Sequence, residues 1–289
     1  MNQLISILEE YKNIICCPSC RGRLSPCLDV CLDCQTTYGI ERGVPHLIKK
    51  TVSQKALQDQ DSDSDNALKN FFKRWPRFYK FIVWLIVPIL YTGLTAKKFL
   101  FSFPNVARLL VVGSGNYALH PKAINVDLFP FPNVHIVATA EALPFADESF
   151  DGVCTEQMLE HVFDARAVVQ ELLRVTRPRG LIYTAVPFFY PYHASPKDYS
   201  RWTVDGIIAL FGGREVVDSG ILIGPISGSL VATAAFFATL FSFGSTPLRK
   251  ILNYFFSLLL GSLRVLDFVY ARLPGAEELA VSIYVVIKK

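Results

Sequence analysis

Four cysteines of this 289-residue chain stand as two C-x2-C pairs, Cys17-Pro-Ser-Cys20 and Cys31-Leu-Asp-Cys34, with ten residues between them. Cysteines three apart can aim both sulfurs at one ion from a tight turn, so two such turns supply four thiolates for tetrahedral zinc in a closed structural site. Six of the seven cysteines fall between Cys16 and Cys34. The opening MNQLISILEEYKN has no basic segment ahead of an apolar run and so is not read as a secretory leader; the crowding predicts metal rather than disulfides. Cys16 and Cys27 are spare thiols, and Cys27 forms a competing C-x3-C with Cys31. A second group able to do chemistry is His193, Asp198, Tyr199 and Arg201. A histidine beside a carboxylate can deprotonate a hydroxyl, and an arginine can clamp phosphate or carboxylate. The structural alternative is an Asp198–Arg201 ion pair holding its loop, with Tyr199 and Trp202 packed beneath.

A third candidate is ARLLVVGSGNYA (107–118), an apolar strand running into Gly113-Ser114-Gly115. Glycines let a ligand approach the backbone closely, and a helix expected after the turn would offer free N–H groups. As a bare pattern Gly113-x-Gly115-x-x-Ala118 also fits a dinucleotide fingerprint. A second strand, AINV, ends at Asp127, where an acid can bind ribose hydroxyls. Asp127 lies 14 residues after Gly113, closer than the roughly 20 of dinucleotide folds. The only Tyr-x-x-x-Lys, Tyr284 to Lys288, falls in the last strand, so a short-chain dehydrogenase site is missing. His161 reads as packing or loop support, and His46, His120 and His135 show no partner.

The elements that must position these residues change character along the chain. Residues 1–50 form the cysteine domain. A polar linker with alternating aspartates follows at 51–66, where like charges repel and cannot bury. Segment 67–104 is basic and then apolar: KNFFKRWPRFYK (69–80) carries five basic residues and no acid, and leads into the 16 uncharged residues Phe81 to Ala96. From 105 to 289, short apolar strands alternate with amphipathic helical patterns, the signature of an α/β sheet. Within that domain, Ser219 to Leu248 is 30 residues without a charge, part of an expected helical insertion over 224–278. Apolar residues make up 51% of the chain and charged ones 19%, which excludes a disordered chain. The net charge of +4 is too small to predict nucleic-acid binding.

Past the cysteines, YGIERGVPHLI (38–48) completes a pattern that resembles the zinc ribbon of the small activator protein supporting tRNA and ribosomal methyltransferases, a domain also found fused ahead of bacterial methyltransferases. The resemblance covers about Ile14 to Ile48 and implies an interaction and stabilisation module, with a protein partner. The stretch 124–203 resembles class I S-adenosylmethionine-dependent methyltransferases. It does so through INVDLFPFPNVHIVATAEALPFADESFDGVCTEQMLEHV and ELLRVTRPRGLIYTAVP. PFFYPYHASPKDYSRWT resembles a bacterial subgroup of type 11-like methyltransferases with a PY-H-x-x-P-x-D-Y-x-R-[FW]-T loop.

That resemblance implies a Rossmann-like sheet of seven strands, the last antiparallel, with the hydrophobic insertion between strands six and seven. It implies S-adenosylmethionine as cofactor. Gly113, Ser114 and Gly115 would line its methionine end, Asp127 its ribose, Ala140 and Glu141 its adenine, and Glu156 with Gln157 the strand-four tip beside the sulfonium. Three positions depart from the family pattern: Val111 for an acid, Thr139 for Asp, and Pro178-Arg179-Gly180 for Pro-Gly-Gly.

The expected function is therefore methyl transfer to a small-molecule, saccharide or lipid-linked acceptor, with His193, Asp198 and Arg201 on the acceptor side and structural zinc on Cys17, Cys20, Cys31 and Cys34. The alternative is a catalytically silent scaffold whose ribbon recruits a partner, favoured by Val111 and Thr139. The apolar insertion, broken by Gly224-Pro225, together with Phe81–Ala96 and basic residues at their ends (Lys73, Arg74, Arg77, Lys97, Lys98, Arg249, Lys250), predicts docking on the cytoplasmic face of the inner membrane. A helical cap buried inside the protein is the competing expectation.

Overall fold

A computed structural model describes residues 2–48, 89–193 and 197–289. The linker 51–66, the basic stretch 69–80 and Phe81 to Pro88 lie outside the described residues, as do Lys73, Arg74 and Arg77. Helix α1 (Asn2–Tyr11) leads into the cysteine turns. These are followed by the hairpin β1 (Gly39–Glu41) and β2 (Val44–His46). A short helix α2 (Ala96–Phe101), capped by the Thr95 hydroxyl, precedes the strands β3 (Leu109–Val112), β4 (Ile124–Asp127), β5 (Ile136–Val137) and β6 (Phe150–Glu156). Helix α3 (Ala165–Val175) is capped by the Asp164 carboxylate and leads into β7 (Thr176–Pro187). Helix α4 (Val204–Leu210) and β8 (Val216–Ile223) come next. Helices α5 (Pro225–Leu240), α6 (Thr246–Leu260) and α7 (Asp267–Tyr270) then precede the final strand β9 (Ser282–Lys288).

All strands join one sheet, in the order β1-β2-β5-β4-β3-β6-β7-β9-β8. Every residue of β3 and β4 is buried, as expected of parallel strands covered on both faces. Counted from β3, the order is 3-2-1-4-5-7-6, with β9 antiparallel to both β7 and β8. The sheet has nine strands rather than the seven expected. The added two are the hairpin of the cysteine domain, whose β2 runs parallel to β5 through His46 opposite Val137 and a Leu47 N–H to Val137 carbonyl bond of 2.8 Å.

The helices correct the sequence reading in one respect. No helix follows the glycine turn; the chain crosses from β3 to β4 in turns alone. Helices do cover the later crossovers, α3 burying Val168, Val169, Leu172 and Val175 against the sheet at helical spacing. At the start of β7, Arg179 takes the left-handed φ of +65°, the conformation that the family's glycine at this position tolerates without strain.

The apolar insertion leaves β8 and returns to β9, so it begins and ends on adjacent strands. Asp267 in α7 closes it: its carboxylate accepts the N–H groups of Ile226 and Ser227 and the Ser227 hydroxyl, satisfying the first turn of α5. Among the described residues, Thr246–Tyr270 is long and apolar enough to cross a membrane, and only 22% of its most apolar window is buried.

The cysteine domain shares the sheet's core. Tyr11 is 1% exposed, stacks on Phe150, accepts the Leu109 N–H at 3.0 Å and donates to the Lys122 carbonyl. Backbone bonds from Cys16 to Pro144 and from Ala146 to Ile14 continue the seam. Arg174 bridges Glu171 and Asp147, which Arg21 of the cysteine domain also binds.

Candidate functional site

The glycine turn sits where β3 ends. Gly113 and Gly115 both have positive φ, +70° and +53°. A Cβ on Gly113 would stand 2.5 Å from Met158 Cγ, so Met158 closes over the turn only because residue 113 has no side chain. At Gly115 nothing lies within 4 Å of the Cβ position; the backbone there borders open space in which a ligand can approach. Asp127 ends the neighbouring strand β4. Its two oxygens accept the Gly115 N–H at 2.8 Å and the Phe129 N–H at 2.9 Å. Burial raises its carboxyl above the usual range, and these N–H groups oppose the shift. Glycine turn and acid are thus tied together by a direct bond.

Ser114 is buried, Ala140 half-buried and Glu141 exposed. Glu156, at the tip of β6, has its carboxyl raised by burial and opposed by a backbone hydrogen bond at Ala96. Gln157 adopts a left-handed φ of +52°, and its amide donates to the Ser282 hydroxyl on β9. Gly113, Gly115, Asp127 and Glu156 all lie at the carboxyl ends of parallel strands, where open α/β sheets bind ligands. An open glycine cradle beside a buried acid suits a ribose-bearing cofactor. Val111 and Thr139, which stand where the family has acids, are buried at 2% and 3% exposure.

The four cysteines of the C-x2-C pairs converge. Their sulfurs all lie within 4.8 Å of one another, with Cys17 to Cys34 at 3.7 Å and Cys20 to Cys31 at 3.5 Å. Sulfurs each about 2.3 Å from a tetrahedral ion stand about 3.8 Å apart, whereas a disulfide needs about 2.05 Å. The Gly22 and Cys34 N–H groups point at Cys20 and Cys31 sulfur, and the Tyr38 hydroxyl lies 2.9 Å from Cys17 sulfur. This is a donor set for thiolates. Cys16 and Cys27 stay outside it.

The third group joins two loops. Arg201 grips both oxygens of Asp198 and also reaches the Tyr190, Pro191 and Ser200 carbonyls. The guanidinium is committed to its own loop, the arrangement of the structural ion pair. It holds the Asp198 carboxyl down at about 2. Asp198 in turn accepts the His193 N–H at 3.0 Å and faces His193 Nδ1 at 3.5 Å. Tyr199 is exposed and meets Phe163 edge-on.

Against His193 stands Glu160, a residue that sequence reasoning does not single out. Its side chain is fully buried, neither carboxylate oxygen has a hydrogen-bond partner among the described residues, and burial pushes the carboxyl up to about 7. His161 Nε2 lies 3.7 Å and His193 Nε2 4.0 Å from Glu160 Oε1. The signal available in the sequence is an acid between apolar Leu159 and His161.

Residues 117–184 match the family of methyltransferase domains. The matched segment carries Asp127, Ala140, Glu141, Glu156, Gln157, Glu160 and His161. Among curated proteins, 72 residues are 38% identical to a demethylmenaquinone methyltransferase of Renibacterium salmoninarum, covering 24% of this chain and 30% of that protein. Another 50-residue match, 42% identical, is to a demethylmenaquinone methyltransferase of Corynebacterium efficiens and covers 17% of this chain and 22% of that one. The chain thus matches less than a third of the length of either relative.

Two solved structures resemble the chain more loosely. One is Haemonchus contortus phosphoethanolamine N-methyltransferase 2 in complex with phosphomonomethylethanolamine and S-adenosylhomocysteine (13% identity, 76% of this chain, 60% of that one, TM-score 0.44). The other is a complex between the Haloferax volcanii Trm112 methyltransferase activator and a protein assigned as a methyltransferase (17% identity, 75% and 95%, TM-score 0.41). Residues 117–184 therefore match a methyltransferase domain, and they lie in a mainly parallel α/β sheet that the cysteine domain extends by two strands.

Proposed function

We propose that the chain is an S-adenosylmethionine-dependent methyltransferase with a structural zinc in its N-terminal ribbon. The observation that carries this reading is the coincidence of the methyltransferase-domain segment with a ribose-type acid, Asp127, bonded to an open glycine turn. Asp127 holds the ribose hydroxyls, and Gly113, Ser114 and Gly115 line the methionine end. Ala140 and Glu141 border the adenine, and Glu156 and Gln157 close the strand-four tip. S-adenosylmethionine, when bound, supplies a methyl group on a sulfonium. The chain's part is to hold an acceptor in line with it and exclude water. Asp198, gripped by Arg201, accepts the His193 backbone N–H and so positions His193 on the acceptor side. Titration calorimetry with S-adenosylmethionine and S-adenosylhomocysteine tests the reading: micromolar binding supports it, and no heat at millimolar ligand refutes it.

The acceptor in this reading is a small apolar or lipid-linked molecule, a quinone-like lipid ahead of a saccharide carrier. The two relatives named for demethylmenaquinone support it, as does the exposed apolar surface of α5 to α7. Phe236, Phe243, Ile251, Phe255, Leu259 and Val269 are all more than half exposed there. Such a contiguous face suits the cytoplasmic membrane surface, with Arg249 and Lys250 at the start of α6. The second reading is a silent scaffold. Val111 favours it, because the position that would carry an acid is packed into the core with Phe99, Leu100 and Tyr183. Its ribbon, however, already uses β2 and Tyr11 to hold its own sheet.

A further inference from the structure

The loops after β6 and β7 bring together three groups able to hold a metal, Glu160, His161 and His193. His161 Nδ1 lies 2.6 Å from the Lys197 carbonyl oxygen, which can only accept, so the proton is on Nδ1 and Nε2 is a lone pair. His193 Nδ1 lies 3.5 Å from the Asp198 carboxylate without a hydrogen bond to it, so either ring nitrogen of His193 can present a lone pair. Both Nε2 atoms face Glu160 Oε1, at 3.7 and 4.0 Å. These are distances too long for hydrogen bonds. Among the described residues, neither oxygen of the fully buried Glu160 has a hydrogen-bond partner. A buried carboxyl with no such partner, faced by the Nε2 of His161 and by the ring of His193, gathers three ligand groups at one point, where a cation would satisfy them.

From this we propose that Glu160, His161 and His193 bind a divalent metal ion, separate from the cysteine site. The donor set, two imidazoles and one carboxylate, is that of a transition-type ion such as Mn2+, Fe2+, Co2+ or Zn2+ rather than Mg2+ or Ca2+. The shell around it is also built as such sites are built. The Nδ1 of His161 is held by the Lys197 carbonyl, which orients that ring and strengthens the ligand, and the Asp198 carboxylate holds the backbone N–H of His193. Arg201 does not compete with the ion, because its charge is matched by Asp198. The ligand atoms lie within 4.8 Å of one another, and closing on a tetrahedral ion would bring them to about 3.4 Å apart.

Three protein ligands leave coordination positions open. His193 is a third exposed and Glu160 is not, so those positions face the mouth of the loop. An oxygen donor from solution can fill them. On the methyltransferase reading, that donor would be the acceptor hydroxyl: the ion would lower its pKa so that its proton passes to water, and the oxygen–methyl bond would form as the sulfur–methyl bond of the sulfonium breaks, S-adenosylhomocysteine leaving as the neutral thioether. The ion-binding claim itself does not depend on that reading.

The test uses the full-length protein with zinc in its ribbon and Co2+ as the probe. One equivalent of Co2+ is expected to give d–d absorption without a thiolate charge-transfer band, since no sulfur is at this site. The isosteric Glu160→Gln and His193→Gln should each lose that signal, and Asp198→Asn, which leaves the ligands in place, should weaken the ion by 10–100-fold. Mn2+ titration followed by electron paramagnetic resonance gives a second readout, and thermal melts check that the variants fold. The proposal is overturned if the parent binds neither ion at millimolar concentration, or if both Gln variants bind as the parent does. Failure of cofactor binding with Co2+ binding intact would overturn the methyltransferase reading and leave the metal site standing.

Discussion

Replacing Asp127 by alanine separates a cofactor site from a merely well-packed turn. In the parent the carboxylate is only 9% exposed, and each oxygen accepts one backbone N–H, from Gly115 and from Phe129. Each oxygen keeps a second lone pair, and two ribose hydroxyls can donate there. A hydrogen bond to a charged group contributes about 1.5–3 kcal/mol. Losing even one of the ribose bonds should therefore weaken S-adenosylmethionine by about 10- to 150-fold, and losing both by more. S-adenosylhomocysteine shares the ribose and should weaken equally.

Asp127→Asn is the discriminating control. Its one remaining oxygen can serve the Phe129 N–H, but the amide NH2 then meets the Gly115 N–H, donor against donor. The glycine turn should shift, and affinity should fall to a value between parent and alanine. Calorimetric titration measures the affinities, and urea melts show whether the fold is intact. An alanine variant that binds both ligands as tightly as the parent, with an unchanged melt, would refute the ribose assignment.

Three further outcomes follow. One zinc per chain should resist dialysis in the parent and disappear in Cys17→Ser or Cys34→Ser when metal content is measured, while Cys27→Ser keeps it. Ile251→Glu, Phe255→Glu and Leu259→Glu together charge one exposed stripe of α6; sedimentation with anionic vesicles should be lost with no change in the urea midpoint, and a parent that never sediments would refute membrane docking. His135, 4% exposed, accepts the Asn125 N–H on Nδ1, and burial lowers its imidazole to about 4. A base depressed in the folded state contributes fully above the unfolded value of about 6.5 and loses that contribution as pH falls toward 4. Between pH 7 and 5 the urea-derived stability should fall by about 2 kcal/mol from this group, and His135→Asn should flatten that fall.

The sequence carried those features whose signal is local. The run LLVV before Gly113, the acid closing AINV, and the doubled C-x2-C each lie within one turn or strand, and the structure assembles the four sulfurs and bonds Asp127 to Gly115. What escaped depends on distant segments meeting. β5 is two residues long, too short to advertise that a hairpin ninety residues earlier would pair with it. Glu160 and His193 come together only because two loops fold toward each other, and single residues in loops have no periodicity to read. The helix expected after Gly115 is missing for a visible reason. Asn116 to Ala123 includes Pro121 and is too short to form a stable helix and still reach β4.

The hairpin β1–β2 has a consequence for how the protein fails. A parallel sheet that ended at β5 would present a bare row of N–H and C=O groups, a template for pairing with another chain. β2 covers that row, and β1, three exposed residues long, replaces it with a poor template. The hairpin follows directly on the cysteine turns. On the proposed zinc reading, a chain that loses the ion would lose the cover of its sheet. Such a chain should associate through its uncovered strand before it unfolds, so that metal depletion is seen first as oligomers in light scattering.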